Sequence, residues 1–177
     1  LSLNGQGGFV AQEVANSKGA VSAHSIAVST LIYFVGKDGI YVSEGGQPRS
    51  ITDDRLYKLF PHDGQPGEAV NGIPAPDYTR STEFQLVATG DALYFIYPIA
   101  SPFLGYGEWH CLRYDYGLTA WIYDVYGDGG LQSLHYATGA GVYQLIGGTG
   151  NKNVVQLLGS TDVNDPIPIS LRTACVR

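Results

Sequence analysis

The sequence predicts an all-β chain of antiparallel, β-propeller-type blades, about three of them and part of a larger propeller, with one short helix. Three observations lead there. Short apolar runs alternate with glycine-centred turns along the whole chain, and helical periodicity occurs only once. Two runs, Leu31–Val35 and Ala92–Tyr97, are apolar at successive positions, so both of their faces need cover. Finally, Leu31-Ile32-Tyr33-Phe34, Leu93-Tyr94-Phe95-Ile96 and Val142-Tyr143-Gln144-Leu145 recur at offsets of about sixty and about fifty residues. Propeller blades repeat every ~40–50 residues, and a two-layer sandwich would show cleaner alternation.

Composition bounds the rest. With 44% hydrophobic residues, 13 Tyr, 6 Phe and 2 Trp in 177 residues, the chain is not disordered. Only 15% of residues are charged, against about 25% in an average soluble domain, which implies a surface covered by more chain or by a partner. The net charge of -6 and ten scattered Lys and Arg exclude a sequence-independent grip on phosphates. No apolar stretch reaches the ~18–20 residues of a membrane helix, and Leu1–Gly8 does not have the pattern of a signal peptide. Cys111 and Cys175 form neither a metal spacing nor a disulfide framework. The chain has no methionine and reaches Arg177 inside an alternating run, as expected of a piece of a longer protein.

In chain order, the expected strands begin with Gly8–Val14, His24–Ser29, Leu31–Gly36, Gly39–Ser43 and Arg49–Thr52. A second set comprises Phe84–Thr89, Ala92–Tyr97, Trp109–Tyr116 and Ala120–Tyr126. The last set is Leu131–Ala137, Gly141–Ile146, Val154–Gly159 and Ile167–Val176. Lys37-Asp38-Gly39, Thr89-Gly90-Asp91, Thr138-Gly139-Ala140 and Gly147–Asn153 supply turn chemistry between them. The helix is expected over Asp53–Phe60, with acids in its first turn, Leu56, Leu59 and Phe60 on one face and Pro61 as its stop. This divides the chain into blade one with the helix (1–60), a loop (61–80), blade two (81–130) and blade three (131–177).

The texture resembles a known family. Ser17–Ser25 leads into Leu31–Gly36 and the Lys37-Asp38-Gly39-Ile40-Tyr41 hairpin, followed by Pro48-Arg49-Ser50-Ile51-Thr52. Later come Arg113-Tyr114-Asp115 with Ala120-Trp121-Ile122, and Asn164-Asp165-Pro166-Ile167-Pro168-Ile169 ahead of Thr173. These pieces resemble the tail nozzle or head-to-tail connector propellers, of the packaged-DNA-stabilisation type, of short-tailed phages. The resemblance implies a non-enzymatic structural subunit of the virion tail, made in the host cytoplasm. It would sit in a ring of its own copies, bound to portal, adaptor or other tail proteins, with no membrane anchor. DNA would pass through a channel without being held, its acidic lining keeping the DNA from sticking. The rivals are an extracellular carbohydrate-binding or glycoside-cleaving propeller and a generic protein-interaction propeller.

Candidate chemistry is sparse, and no cofactor, metal or catalytic residue is assigned. His24, His62, His110 and His135 form no ligand spacing, and His110 and Cys111 point to opposite faces of a strand. Asp124 and Asp128, or Asp162, Asn164 and Asp165, could offer oxygens to calcium but lack the rhythm of a calcium loop and read as turns. No G-x-S-x-G occurs, and Ser22 with His24 is an i,i+2 pair on one strand face. Glu44, Asp38, Glu83 and Glu108 are the carboxylates from which a glycosidase pair would have to come. The sialidase turn Ser-x-Asp-x-Gly-x-x-Trp is approached only by Gly36-Lys37-Asp38-Gly39, without its serine or tryptophan. Gly147–Lys152 is glycine-rich but has the wrong spacing for a phosphate loop. Aromatic residues crowd the span from Tyr94 to Tyr126; Tyr94, Tyr114 and Trp121 read as core, whereas Tyr106, Trp109 and Tyr116 are the candidates for an interaction surface.

Overall fold

The computed structural model describes residues 2–3, 9–10, 18–53, 55–99, 109–126, 130–139, 142–150, 152–157, 161–162 and 165–166. A short hairpin pairs β1 (Ser2–Leu3) with β2 (Phe9–Val10). Strands β3 (Ile26–Val28), β4 (Ile32–Val35), β5 (Ile40–Ser43) and β6 (Arg49–Ser50) then form a four-stranded antiparallel meander. A second meander holds β7 (Gln85–Ala88), β8 (Ala92–Pro98), β9 (Trp109–Asp115) and β10 (Ala120–Asp124). The third has three strands, β11 (Leu131–Gly139), β12 (Val142–Thr149) and β13 (Val154–Gln156). A last hairpin joins β14 (Thr161–Asp162) to β15 (Asp165–Pro166). The described part of the chain is thus all-β, in three successive sheets and no closed ring. The strand expected over Ile167–Val176 lies outside the described residues.

The sheets stack in chain order. Alternation along β8 sends Leu93, Phe95 and Tyr97 toward the first sheet, where they pack with Tyr33, Val35, Ile40 and Val42, beside Leu112 of their own sheet. The intervening Ala92, Tyr94 and Ile96 pack with Cys111, Leu131, Leu134 and Leu145 of the second and third sheets. All seven residues of β8 are buried, as the unbroken apolar run requires. The first strands β3, β7 and β11 lie side by side, so the sheets meet along their leading edges. There the Gln85 amide imitates a strand backbone. Its Nε2 donates to the Gln132 carbonyl at 2.8 Å, and its Oε1 accepts from the Leu134 N–H at 3.1 Å. This satisfies two ladder groups on the open edge of β11.

Several expectations are corrected. The helix over Asp53–Phe60 reduces to a single 3-10 turn at Tyr57–Leu59. Pro61 drives Phe60 out of helical geometry, to φ -103 and ψ 155, which leaves too few residues to repay an α-helical nucleus. Leu56, Leu59 and Phe60 are nonetheless buried together. His24 and Ser25 belong to a 3-10 turn at Ala23–Ser25 rather than to a strand. The loop over 61–80 holds two tight reverse turns, closed by paired backbone bonds between His62 and Gln65 and between Val70 and Ile73. Asp63-Gly64 and Asn71-Gly72 stand at their centres with positive φ at both residues, the signature of type I′. The loop ends in a further 3-10 segment, Tyr78–Glu83, and the second sheet begins at Gln85, one residue after the expected Phe84. Gly147 and Gly148, expected in a turn, lie inside β12 opposite a register shift between Leu131 and Ser133. A Cβ on Gly147 would come within 2.5 Å of Leu131 Cδ2, and one on Gly148 within 2.6 Å of the Ser133 hydroxyl. At the bulge a larger residue at either position would have to displace the Leu131 or Ser133 side chain.

Candidate functional site

Most groups with chemical potential are occupied by structural duties. Ser22 does not share a strand face with His24; it precedes the first 3-10 turn, where the Ser25 hydroxyl donates to the Ser22 carbonyl at 2.8 Å. His62 Nδ1 sits 3.0 Å from the Phe60 carbonyl, and the His110 ring stacks on Tyr123 and bonds its hydroxyl. Among the described residues no group of three or more His, Cys, Asp and Glu could hold a metal ion.

Several carboxylates are likewise engaged. Glu83 takes a two-pronged pair from Arg80, at 2.7 and 2.6 Å, which holds it below the usual carboxylate range. Arg113 donates to Asp124 from Nε at 3.0 Å and brings Nη1 to 3.6 Å from Asp115. Burial nevertheless raises Asp124 above its ordinary value, outweighing the guanidinium beside it. Asp38 accepts from the Tyr41 hydroxyl at 2.6 Å and from Lys18, whose ammonium stands over the Tyr41 ring. Burial pushes Asp38 upward, but the bonds from Lys18 and Tyr41 overcome it and leave the carboxyl lowered. Glu44 is exposed in a turn, and Glu108 and Asp128 lie outside the described residues.

Of the three aromatic residues singled out for a surface, Trp109 and Tyr116 are among the described residues, both half-buried. Tyr106 lies outside them. Trp109 is half-buried against the second core, with the Arg80 guanidinium 5.6 Å from its ring centroid. Tyr116 folds back between the first two sheets, stacked on Tyr33 at 5.8 Å, with no exposed hydroxyl. Core readings fare differently. Trp121 packs on Tyr114 at 5.0 Å and donates its indole N–H to the Ile51 carbonyl at 2.9 Å, tying the second sheet to the first.

The surface that the structure does leave open is another one. Cross-strand pairing puts Ile26 beside Phe34, Val28 beside Ile32 and Phe34 beside Tyr41, all on the face of the first sheet turned away from the second. Ile26 is 44% exposed, Val28 70% and Ile32 42%. Phe34 is half-buried and stacks on Tyr41 at 5.4 Å. Lys18 and Asp38 stand beside Tyr41 and neutralise each other. The sequence did hold a signal for this face. Leu31–Val35 is as apolar as Ala92–Tyr97, yet sequence cannot say which apolar face has a partner within the chain. In comparisons with known proteins, the chain matches no protein-family model and no curated protein.

Proposed function

We propose that this chain is a non-enzymatic structural component of a phage virion, a tail nozzle or head-to-tail connector subunit lining or closing the DNA channel. The observation that carries the proposal is the stacking of successive antiparallel meanders, with leading strands side by side and an apolar face left open at the end of the stack. Such a unit extends by adding sheets, which suits a ring-shaped wall. The absorption of Glu83, Asp38, Asp124 and His110 into ion pairs, hydrogen bonds and ring stacks is in keeping with a structural role.

The leading strands revise how such a wall would treat DNA. Ile26–Val28, Gln85–Ala88 and Leu131–Gly139 contain no Asp, Glu, Lys or Arg. In a ring built on these strands, DNA would slide because the wall offers no counter-charge, rather than because acids repel it. Immunogold labelling of purified phage particles with an antibody raised against this chain tests the assignment. Label at the tail or connector is expected; particles without label overturn it.

A further inference from the structure

We propose that Asn71-Gly72 is a site of spontaneous covalent modification, where the chain converts Asn71 to aspartate or isoaspartate with water as its only co-reactant. The inference stands apart from the virion reading and rests on the second of the two reverse turns in the 61–80 loop.

Asn71 and Gly72 form the corner of that turn, and both are exposed. Their φ values of 52 and 82 set type I′ geometry. Two backbone bonds close the turn, from the Val70 N–H to the Ile73 carbonyl and from the Ile73 N–H to the Val70 carbonyl, each 2.9 Å. Neither uses the Gly72 N–H, and among the described residues no hydrogen bond ties the Asn71 side-chain amide. A Cβ on Gly72 would meet nothing within 4 Å, so the Gly72 nitrogen stands in open space with no side chain of its own to shield it. An unshielded main-chain nitrogen directly after a free carboxamide is the pairing that closure of a five-membered imide needs.

Hydroxide takes the proton of the Gly72 amide, and the nitrogen attacks Asn71 Cγ. The N–Cγ bond forms as the Cγ–Nδ2 bond breaks; the departing nitrogen takes a proton from water and leaves as ammonia, which restores the hydroxide. Water then opens the imide at either carbonyl. Cleavage at Cγ gives aspartate, and cleavage at the main-chain carbon gives isoaspartate, whose backbone runs through Cγ and is one methylene longer. Type I′ geometry turns the Gly72 nitrogen away from Cγ, so ring closure waits for the turn to open, and two backbone bonds in an exposed loop are what must break. Asp63-Gly64 repeats the geometry with a carboxylate, a poorer electrophile than an amide, and is an internal reference. Val70 and Ile73 pack against the first core, and the longer isoaspartate corner cannot keep both of their bonds.

Mass spectrometry of the intact chain, aged at neutral pH and body temperature and then cut with trypsin, tests this. The peptide 59–80 should gain the mass difference between an amide and an acid; the sequence's other Asn-Gly pair, Asn4-Gly5, falls in the peptide 1–18 and is read separately. Fragmentation that separates aspartate from isoaspartate should find both at position 71, ahead of any isoaspartate at position 63. Opening two backbone bonds should make the folded chain slower than a synthetic 59–80 peptide by about ten- to a hundredfold. Asn71→Gly, which keeps a dipeptide that type I′ turns accept, should abolish the gain. In the isoaspartate fraction, amide exchange at Val70 and Ile73 should be faster than in fresh chain. Four results would each overturn the proposal: a folded chain unconverted after about a hundred half-lives of the peptide, isomerisation at Asp63 ahead of Asn71, a gain that persists in Asn71→Gly and so belongs to Gln65, or unchanged exchange in the isoaspartate fraction.

Discussion

Replacing Trp121 by alanine probes the junction between the first two sheets at its outer margin. Removing a buried tryptophan side chain costs ~3–5 kcal/mol. The indole of Trp121 is half-buried, which places it toward the lower end, but its loss also orphans the Ile51 carbonyl that now accepts at 2.9 Å. A bond of that kind contributes ~0.5–1.5 kcal/mol net, and the contact with Tyr114 adds ~0.5–1.5 kcal/mol beyond area burial. These terms overlap, and about 3 kcal/mol is the expected total. For a chain of this length that lowers Tm by roughly 6–12 °C. Trp121→Phe keeps a six-membered aromatic ring but loses the N–H and the smaller ring of the indole, so it should cost about 1–2 kcal/mol, less than Trp121→Ala. Urea unfolding followed by far-ultraviolet circular dichroism measures both variants, with the slope showing whether the unfolded state has changed. A loss under ~1 kcal/mol for Trp121→Ala would refute the placement of Trp121 in the core and make its ring available for ligand stacking.

Three other outcomes follow from the same structure. Gln85→Leu should cost about 1–3 kcal/mol by leaving the Gln132 carbonyl and Leu134 N–H unpaired, with amide exchange at Leu134 faster than in the parent; unchanged exchange there would mean the edge contact is dispensable. Asp38 is held below its ordinary value, so the stability from its pairing is present above the ordinary carboxylate pKa of ~3.9 and is lost as pH falls through the lower, folded value. Because Lys18 and Asp38 are more than a third exposed, Asp38→Asn should cost under ~1 kcal/mol at pH 7, shrinking in acid or high salt; a loss that persists at low pH contradicts the assignment. Chelator treatment should leave Tm within about a degree, since His62, His110, Asp38, Glu83 and Asp124 are held by protein groups; a fall of several degrees would reveal a structural metal.

What could be read in the sequence was whatever depends on near neighbours. The run Ala92–Tyr97 announced a strand covered on both sides, and β8 is buried at every position. Turn chemistry at Lys37-Asp38-Gly39 and Thr89-Gly90-Asp91 set the hairpins correctly, because glycine and short polar residues determine backbone geometry locally. Asp63-Gly64 and Asn71-Gly72 carried equally strong signals that were hidden by the prolines around them. Distant groups decide more. Tyr116 follows a strand and precedes a glycine, and its half-buried ring stacks on Tyr33, far away in sequence. Gln85 looked like an ordinary polar strand residue, and only the approach of β11 turns its amide into a substitute ladder partner. The 53–60 segment showed a helical face that is real in its burial, while Pro61 set its geometry.

The two internal junctions also indicate what the open face withholds from the fold. Its residues, Ile26, Val28, Ile32 and Phe34, are of the same chemical kind as Val35, Ile40, Val42 and Phe95 in the first junction. Full burial of such a side chain contributes ~1.5–3 kcal/mol. With Ile26, Val28 and Ile32 between two-fifths and seven-tenths exposed, covering them would add roughly 3–4 kcal/mol on that scale. Against the ~5–15 kcal/mol of a whole domain, that is a large share to leave in water. The third sheet asks for less. Its outward face carries Val154 and Ile146 among Ser133, His135 and Gln156, so the trailing end of the stack tolerates solvent better than the leading end. Any partner that covered an end of the stack would therefore gain more from the first sheet than from the third, and the exposed β3–β4 hairpin is where a change of one side chain should leave the fold intact.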